Sequence, residues 1–332
     1  MTVKVNFCDF WPGFESNNLL LIFLRKYFDI VIDQNPDYLF YSVYGNTNLG
    51  YKNCIKILFT GENLVPDFNV CDYALGFHYI DFGDRYMRFP LYVYYQWHYL
   101  NYLSNKIGNS DSACQSVRKL VDKKFCNFVY SNSANSDPVR EAFFHRLCKY
   151  KKVDSGGKYL NNIGKAVGDK LQFIKDYKFT IAFENSSVPG YTTEKLLEPI
   201  LANSIPVYYG NPLVNLDFNT DSFIYVKGIQ DFDRAIEEII YLDRNDELYL
   251  VRLNQQKFRD ENTMASWDEK LYNFLNNIFS QSLTEASRRA NYGYTRYYTE
   301  ELMLMTELLI KSRIRSRFKV GVKNIINRYL IT

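Results

Sequence analysis

The chain has 332 residues, 47% hydrophobic and 23% charged, with a formal net charge of +3. That balance excludes wholesale disorder, collagen-like repeats and a disulfide-stapled miniprotein. The charge is lopsided: residues 311–332 carry seven basic side chains and no acid, which leaves a mildly acidic body and argues against a nucleic-acid partner.

In chain order, VKVNFCDFW (3–11) reads as a buried strand, and Leu19 to Tyr27 as a helix with Asn17 and Asn18 as caps. DIVI (29–32), YLFYSVY (38–44) and CIKILFT (54–60) are short apolar runs bounded by Asn, Gly or Pro, hence strands. The polar stretch 101–123 reads as a linker. A second series follows: strand KFCNFVYSN (124–132), then helix DPVREAFFHRLCKY (137–150) with Asp137 at its cap and Pro138 opening it. Next come a polar loop (155–165), strand FTIAFEN (179–185), helix TTEKLLEPILANS (192–204), strands IPVYYG (205–210) and SFIYV (222–226), and a capped helix DFDRAIEEIIYL (231–242). From about 265 the chain reads as helices, Trp267 to Phe279 and Glu300 to Ile310, ending in the basic tail. Strands alternating with helices in two halves predict an α/β protein of two Rossmann-like domains facing a cleft.

The six cysteines (Cys8, Cys54, Cys71, Cys114, Cys126, Cys148) show no CxxC spacing and read as free thiols, and three scattered histidines make a His-based zinc site an unsuitable reading. The apolar run Leu19 to Leu24 is too short for a signal peptide, and no run approaches a membrane span, so a cytoplasmic location is expected. Common nucleotide signatures fail. GxGxxG is absent, and Gly45 to Lys52 resembles a phosphate loop but has Tyr51 where Lys is required. Asp231 and Asp233 have the DxD spacing of some metal–nucleotide sites, yet at a helix start they read as caps.

The informative stretch is 179–212. An apolar strand ends in Glu184-Asn185, a loop with Pro189 and Gly190 follows, and Thr192 or Thr193 caps a helix whose first turn holds Glu194 and Lys195. In parallel α/β sheets ligands bind beyond the carboxyl ends of strands, where helix N-termini offer amides and partial positive charge to phosphate.

This stretch resembles the donor-binding motif of the α1,3-fucosyltransferases, glycosyltransferase family 10, roughly FxxxFENSxxxxYxTEKxxxxxxxxxIPVYYGxP. It is met by Phe179, Phe183-Glu184-Asn185-Ser186, Tyr191, Thr193-Glu194-Lys195, Ile205 to Gly210 and Pro212. Phe59-Thr60-Gly61-Glu62-Asn63, Pro66 to Asn69, Asp72 to Phe77, Asp84 to Arg88 and Pro90-Leu91-Tyr92 look like the acceptor domain of the bacterial members. Ser131-Asn132 with Arg140 looks like the start of their donor domain. The likeness covers about 1–285; Leu64-Val65 and the short 101–123 stretch depart from it, both on the acceptor side.

The resemblance implies the GT-B type: an acceptor-binding domain at 1–120, a GDP-fucose-binding domain at 121–285 and a helical, basic C-terminal tail at 286–332. It implies transfer of L-fucose from GDP-β-L-fucose to the 3-hydroxyl of N-acetylglucosamine in a lactosamine-type glycan, with inversion. Glu62 is then the general base and Glu194 a second important carboxylate, which either stabilises charge on the fucose ring or holds ribose or sugar hydroxyls. Arg140 and Lys195 clamp the diphosphate, and Asn185, Tyr191 and Glu194 contact the donor. With two cations and a helix N-terminus on the diphosphate, no obligatory cofactor or divalent metal is expected. From Leu308, apolar residues recur at gaps of mostly three or four, including Ile314, Phe318, Val322 and Ile326. With the basic residues of 311–332 they predict an amphipathic helix lying on an anionic membrane, on the cytoplasmic face of the inner membrane.

Overall fold

The computed structural model describes residues 2–15, 18–107, 117–131, 134–259, 264–290 and 292–308. Asn17, Cys114, Asn132 and the tail 311–332 lie outside them. Among the described residues the strands form two sheets. The first comprises Val3–Cys8 (β1), Ile30–Ile32 (β2), Tyr38–Tyr41 (β3), Ile55–Phe59 (β4), Tyr73–Gly76 (β5) and Tyr86–Arg88 (β6), in the order β2-β1-β3-β4-β5-β6. Its neighbours from β2 to β5 pair in parallel. The second comprises Lys124–Phe128 (β7), Val153–Ser155 (β8), Tyr177–Phe183 (β9), Ile205–Tyr209 (β10) and Ile224–Tyr225 (β11), ordered β11-β10-β9-β7-β8 and parallel throughout. These are the two Rossmann-like domains expected of the GT-B type.

The helices are Leu19–Tyr27 (α1), Leu91–Ile107 (α2), Val117–Val121 (α3), Val139–Leu147 (α4), Lys170–Ile174 (α5), Glu194–Leu201 (α6), Phe232–Asp243 (α7), Asp246–Leu253 (α8), Met264–Phe279 (α9) and Leu283–Ala286 (α10); residues 294–308 are also helical. Asn18 caps α1 as expected, its side chain accepting from the Leu21 amide at 2.9 Å. Asp137 accepts from the Val139 amide at 3.0 Å, and Pro138 has helical dihedrals at the head of α4. Helix α6 is shorter than its sequence pattern: Asn203, at φ 52°, turns left-handed and stops it.

Strand β9 is buried along all seven residues, as a central parallel strand must be. Phe179, Ile181 and Phe183 alternate onto one face and join the core built from α4, α7 and α8, where Phe143 meets Phe183 and Phe232 at 5.0 Å each. Thr180 on the other face shares a 2.8 Å hydrogen bond with Ser204 and accepts one of 2.8 Å from Asn127.

The expected linker at 101–123 is largely helical: α2 runs to Ile107 and α3 follows at Val117–Val121, while 108–116 lie outside the described residues. Burial explains the start of α2. Tyr92 is enclosed and packs edge-on against Phe218 and Trp267 at 4.8 and 6.4 Å, so tertiary contacts override a weak helical pattern.

The chain divides into two compact units: one holds residues up to Leu75, 82–86 and those from Leu275 on, the other 76–81 and 87–274. The family resemblance implies divisions at 120 and 285. In the first unit Phe279 packs edge-on against Phe28 and Tyr38 at 5.0 and 4.7 Å. Asp72, fully enclosed there, accepts from the Lys56 amide at 2.7 Å and from the Arg288 and Arg289 amides at 2.9 Å. The described cysteines are free; three are buried and Cys8 and Cys148 half-buried. Among the described residues no helix is long and apolar enough to cross a membrane.

Candidate active site

The carboxyl ends of β9 and β10 and the N-termini of α4 and α6 supply the side chains of the second unit's site. Glu184 follows β9 directly and is wholly enclosed. Its carboxylate accepts from the Thr193 amide at 2.8 Å and from the Thr193 hydroxyl at 3.0 and 2.8 Å. One orphan amide at the head of α6 is thereby satisfied by a strand-end acid. The Thr193 hydroxyl in turn accepts from the Lys195 amide at 3.4 Å and its ammonium at 3.1 Å. The same ammonium stands 3.3 Å from both Glu184 and Glu194.

Two glycines permit this packing. A Cβ on Gly210 would sit 2.5 Å from Glu184 Cγ, and one on Gly190, where φ is +88°, 2.2 Å from the Phe77 carbonyl oxygen. Asn211 ties the loop down: its side-chain oxygen accepts from the Gly190 and Leu213 amides at 2.7 and 2.8 Å, and its nitrogen donates to Thr192 at 3.1 Å.

Electrostatics separate the acids. Burial pushes the Glu184 carboxyl up, against the pull of Lys195. Burial would raise Glu194 too, but Lys195 and Lys170 overcome it and hold that carboxyl down at about 2. Lys195 itself would be lowered by burial, yet Glu194 and Glu184 hold it well above the ordinary lysine value. Behind them Lys170 pairs with Glu198, which also accepts from the Tyr99 hydroxyl. Neither Glu184, Lys170 nor Glu198 was given a role by sequence reasoning; Glu184 alone had a signal, as the acid ending an apolar strand.

Arg140, in the first turn of α4, is 3% exposed. It lies 4.0 Å above the Tyr130 ring and donates to the Phe183 carbonyl at 3.1 Å and to the Asn185 side chain at 2.6 Å. Among the described residues its Nε is buried without a hydrogen-bond partner. The Tyr130 hydroxyl accepts from the Phe183 amide at 2.7 Å and donates toward the Ile181 and Phe183 carbonyls at 3.0 Å. Arg140 and Lys195 both act on that hydroxyl, against the burial that raises it. Asp137 closes the group, donating its amide to the Asn185 carbonyl at 2.8 Å and accepting from Tyr209 at 2.7 Å. Tyr191 is 3% exposed, with its ring packed at 5.0 Å from Phe77, so in this structure it serves the core under the loop.

Glu62 stands in the first unit, just past β4. Its carboxylate accepts from the Tyr44 hydroxyl, and its amide donates to Thr60 Oγ1 at 3.0 Å. Trp11 packs edge-on against Tyr44 and Phe59 at 6.3 and 6.1 Å, beside a cavity of about 470 Å³ lined by residues Phe7 to Glu15. Asp231 and Asp233 correct the capping expectation: Asp231 makes no cap hydrogen bond and pairs with Arg234 at 2.7 Å, while Asp233 pairs with Arg146 at 2.7 Å. Nearby guanidinium groups offer these carboxylates stronger partners than a helix amide.

The family pattern described as Alpha-(1,3)-fucosyltransferase FucT N-terminal domain matches residues 5–95, and that described as Glycosyltransferase family 10 (fucosyltransferase) C-term matches 93–294. Alpha-(1,3)-fucosyltransferase FucT of Helicobacter pylori is 31% identical over 315 residues, covering 85% of this chain and 64% of that protein. Alpha-(1,3)-fucosyltransferase B of Drosophila melanogaster is 33% identical over 125 residues, 33% of this chain and 28% of that one. The chain thus spans under two thirds of the length of these relatives. A solved α1,3-fucosyltransferase with GDP-fucose superposes with a TM-score of 0.69 at 29% identity, covering 85% of this chain and 91% of that one.

Proposed function

The chain belongs to glycosyltransferase family 10, and on that premise we propose that it is an inverting α1,3-fucosyltransferase. It takes L-fucose from GDP-β-L-fucose and places it on the 3-hydroxyl of N-acetylglucosamine in a lactosamine-type glycan. The observation that carries this reading is the buried Arg140, whose Nε has no hydrogen-bond partner among the described residues, joined through Asn185 and Tyr130 to the strand end that positions Lys195 and Glu194. A solved family relative holding GDP-fucose supports the same reading.

In this mechanism Arg140 and Lys195 meet the diphosphate. The guanidinium offers a planar fork and the ammonium a point charge, and both offset the charge that grows on GDP as the C1–O bond breaks. The electron pair of that bond leaves with the phosphate oxygen. Glu194, ionised over the whole physiological range, faces the positive charge that develops on the fucose ring. Asn185 and Tyr191 complete the donor seat, Asn185 by direct contact and Tyr191 by holding the loop. Glu62 removes the proton from the acceptor hydroxyl as its oxygen attacks C1 from the face opposite GDP. In domain terms, we assign acceptor binding to 1–120, donor binding to 121–285 and membrane attachment to the tail within 286–332.

The test is a panel of GDP-sugars, reading hydrolysis and transfer separately. GDP-fucose should be the preferred donor. Preference for another GDP-sugar would overturn the donor assignment.

Activity should persist in EDTA, because side-chain cations carry the diphosphate charge and Asp231 and Asp233 are held by arginines. Complete loss in EDTA with recovery on adding manganese would contradict this. Residues 311–332 should seat the enzyme on anionic membrane at the cytoplasmic face of the inner membrane, each basic residue near the surface adding about 1 kcal/mol. Liposome flotation checks it: the full chain should float with anionic vesicles and a chain ending at Ile310 should not, while transfer to a soluble acceptor continues. Full-length protein that ignores anionic vesicles would remove the membrane role.

A further inference from the structure

We propose that the first unit contains a second anion site, a cavity that binds a small phosphate-bearing ligand through Lys56 and Arg289. The residues of this cavity are separate from the Arg140–Lys195 group. Strand β4 alternates Ile55, Ile57 and Phe59 onto one face and Lys56 and Leu58 onto the other, so an apolar strand carries one lysine inward. Lys56 is 2% exposed. Among the described residues its ammonium has neither a hydrogen bond nor an ion pair, an arrangement proteins avoid unless something else supplies the counter-charge.

The neighbouring Asp72 carboxylate acts on Lys56 through its charge but makes no contact with the ammonium. Asp72 Oδ1 accepts from the amides of Arg288 and Arg289 at 2.9 Å, and Oδ2 from the Lys56 amide and Arg289 Nε at 2.7 Å, so both oxygens are engaged. Lys56 lines a cavity of about 380 Å³ together with Arg289, Lys52, Arg296, Asn53 and Asn69. Glu300, the acid on the same wall, already pairs with Arg296 at 2.9 Å. Residues 309–332 contain no Asp or Glu, so that segment brings no acidic side chain either. Burial, reinforced by Arg289, brings Lys56 down to about 8, the direction a bound anion would reverse. Arg289 and Arg296 are balanced by Asp72 and Glu300, so Lys56 and Lys52 leave the cavity with two uncompensated positive charges, which, with amide side chains between them, fit the charge and acceptor oxygens of a phosphomonoester or diphosphate better than a single carboxylate.

The experiment uses the full chain with saturating GDP, which keeps the donor site filled. Binding of inorganic pyrophosphate and of glycerol 3-phosphate is measured by calorimetry, and binding to phosphatidylglycerol vesicles by flotation. Each is compared between the wild type and Lys56→Met, which keeps an unbranched side chain one atom shorter and removes the buried charge. Lys52→Ala on the exposed rim serves as a second variant whose folding is not in question. We expect a soluble anion to bind and to weaken by about tenfold or more in Lys56→Met, with a smaller loss in Lys52→Ala. That result identifies a free phosphate compound as the ligand. Vesicle binding that falls equally in Lys56→Met, with no soluble anion bound, identifies a lipid phosphate. Affinities for soluble anions and vesicles that are the same in both variants as in wild type, or no binding of either kind, would overturn the proposal.

Discussion

Glu62→Gln should leave GDP binding unchanged and reduce fucose transfer by about 10²–10⁴-fold, the usual worth of a general base. The substitution keeps the size of the side chain, and the amide oxygen can still accept from the Tyr44 hydroxyl that now holds the carboxylate. What it removes is a group able to take the proton from the attacking hydroxyl. The loss therefore belongs on turnover, whereas donor affinity, set by residues around Arg140 and Lys195, should not move. Calorimetry with GDP beside a transfer assay separates the two quantities. A fall of less than about tenfold would take Glu62 out of the role, since even a modest base contributes more.

Lys195→Met should cost about 3–5 kcal/mol of stability, because breaking a buried pair leaves uncompensated charge behind. Glu184 is fully enclosed and, among the described residues, its carboxylate would keep only Thr193 as partner. The pH dependence has a definite sign. In the wild type Glu194 is held at about 2, below the ordinary Glu value. Its contribution is therefore present above the unfolded pKa of about 4.3 and is lost as pH falls towards 2. Without Lys195 that acid-side loss should shrink. Glu184, already raised by burial, should rise further, so the variant should lose stability as pH climbs above its unfolded value. Pairing the change with Glu184→Gln separates structure from binding. The double variant should regain much of the lost stability while GDP affinity stays at least about tenfold weaker, as expected when a charge-assisted contact is removed. If donor affinity returns together with stability, Lys195 supports the fold and does not touch the diphosphate.

The parts of the molecule that were legible are those governed by local chemistry. β9 and β10 declare themselves as apolar runs, and α1 by its Asn18 cap. Three short strands were not legible: Tyr73–Gly76, Tyr86–Arg88 and Val153–Ser155 take their identity from the neighbours they pair with. Helix α2 was half-hidden for the opposite reason, since its aromatic first turns show little polar alternation and are fixed by Phe218 and Trp267 far along the chain.

The site divides in the same way. Glu194 and Lys195 are adjacent and lie in one recognisable helix start. The links that make them a site cross the sequence: Arg140 to Asn185, Asp137 to Tyr209, and Gly190 to Asn211. The ring of Tyr191 is buried against Phe77, a packing that the motif alone does not reveal. The arginine partners of Asp231 and Asp233, Arg234 and Arg146, are likewise not evident from a DxD triplet.

The central claim is tested most directly by incubating the purified chain with GDP-β-L-fucose and N-acetyllactosamine and reading the product linkage by NMR. The account predicts a single new α-linked fucose on O-3 of the N-acetylglucosamine. A fucose β-linked or attached to another hydroxyl would contradict it, as would the absence of fucosylated product from both type 1 and type 2 acceptors.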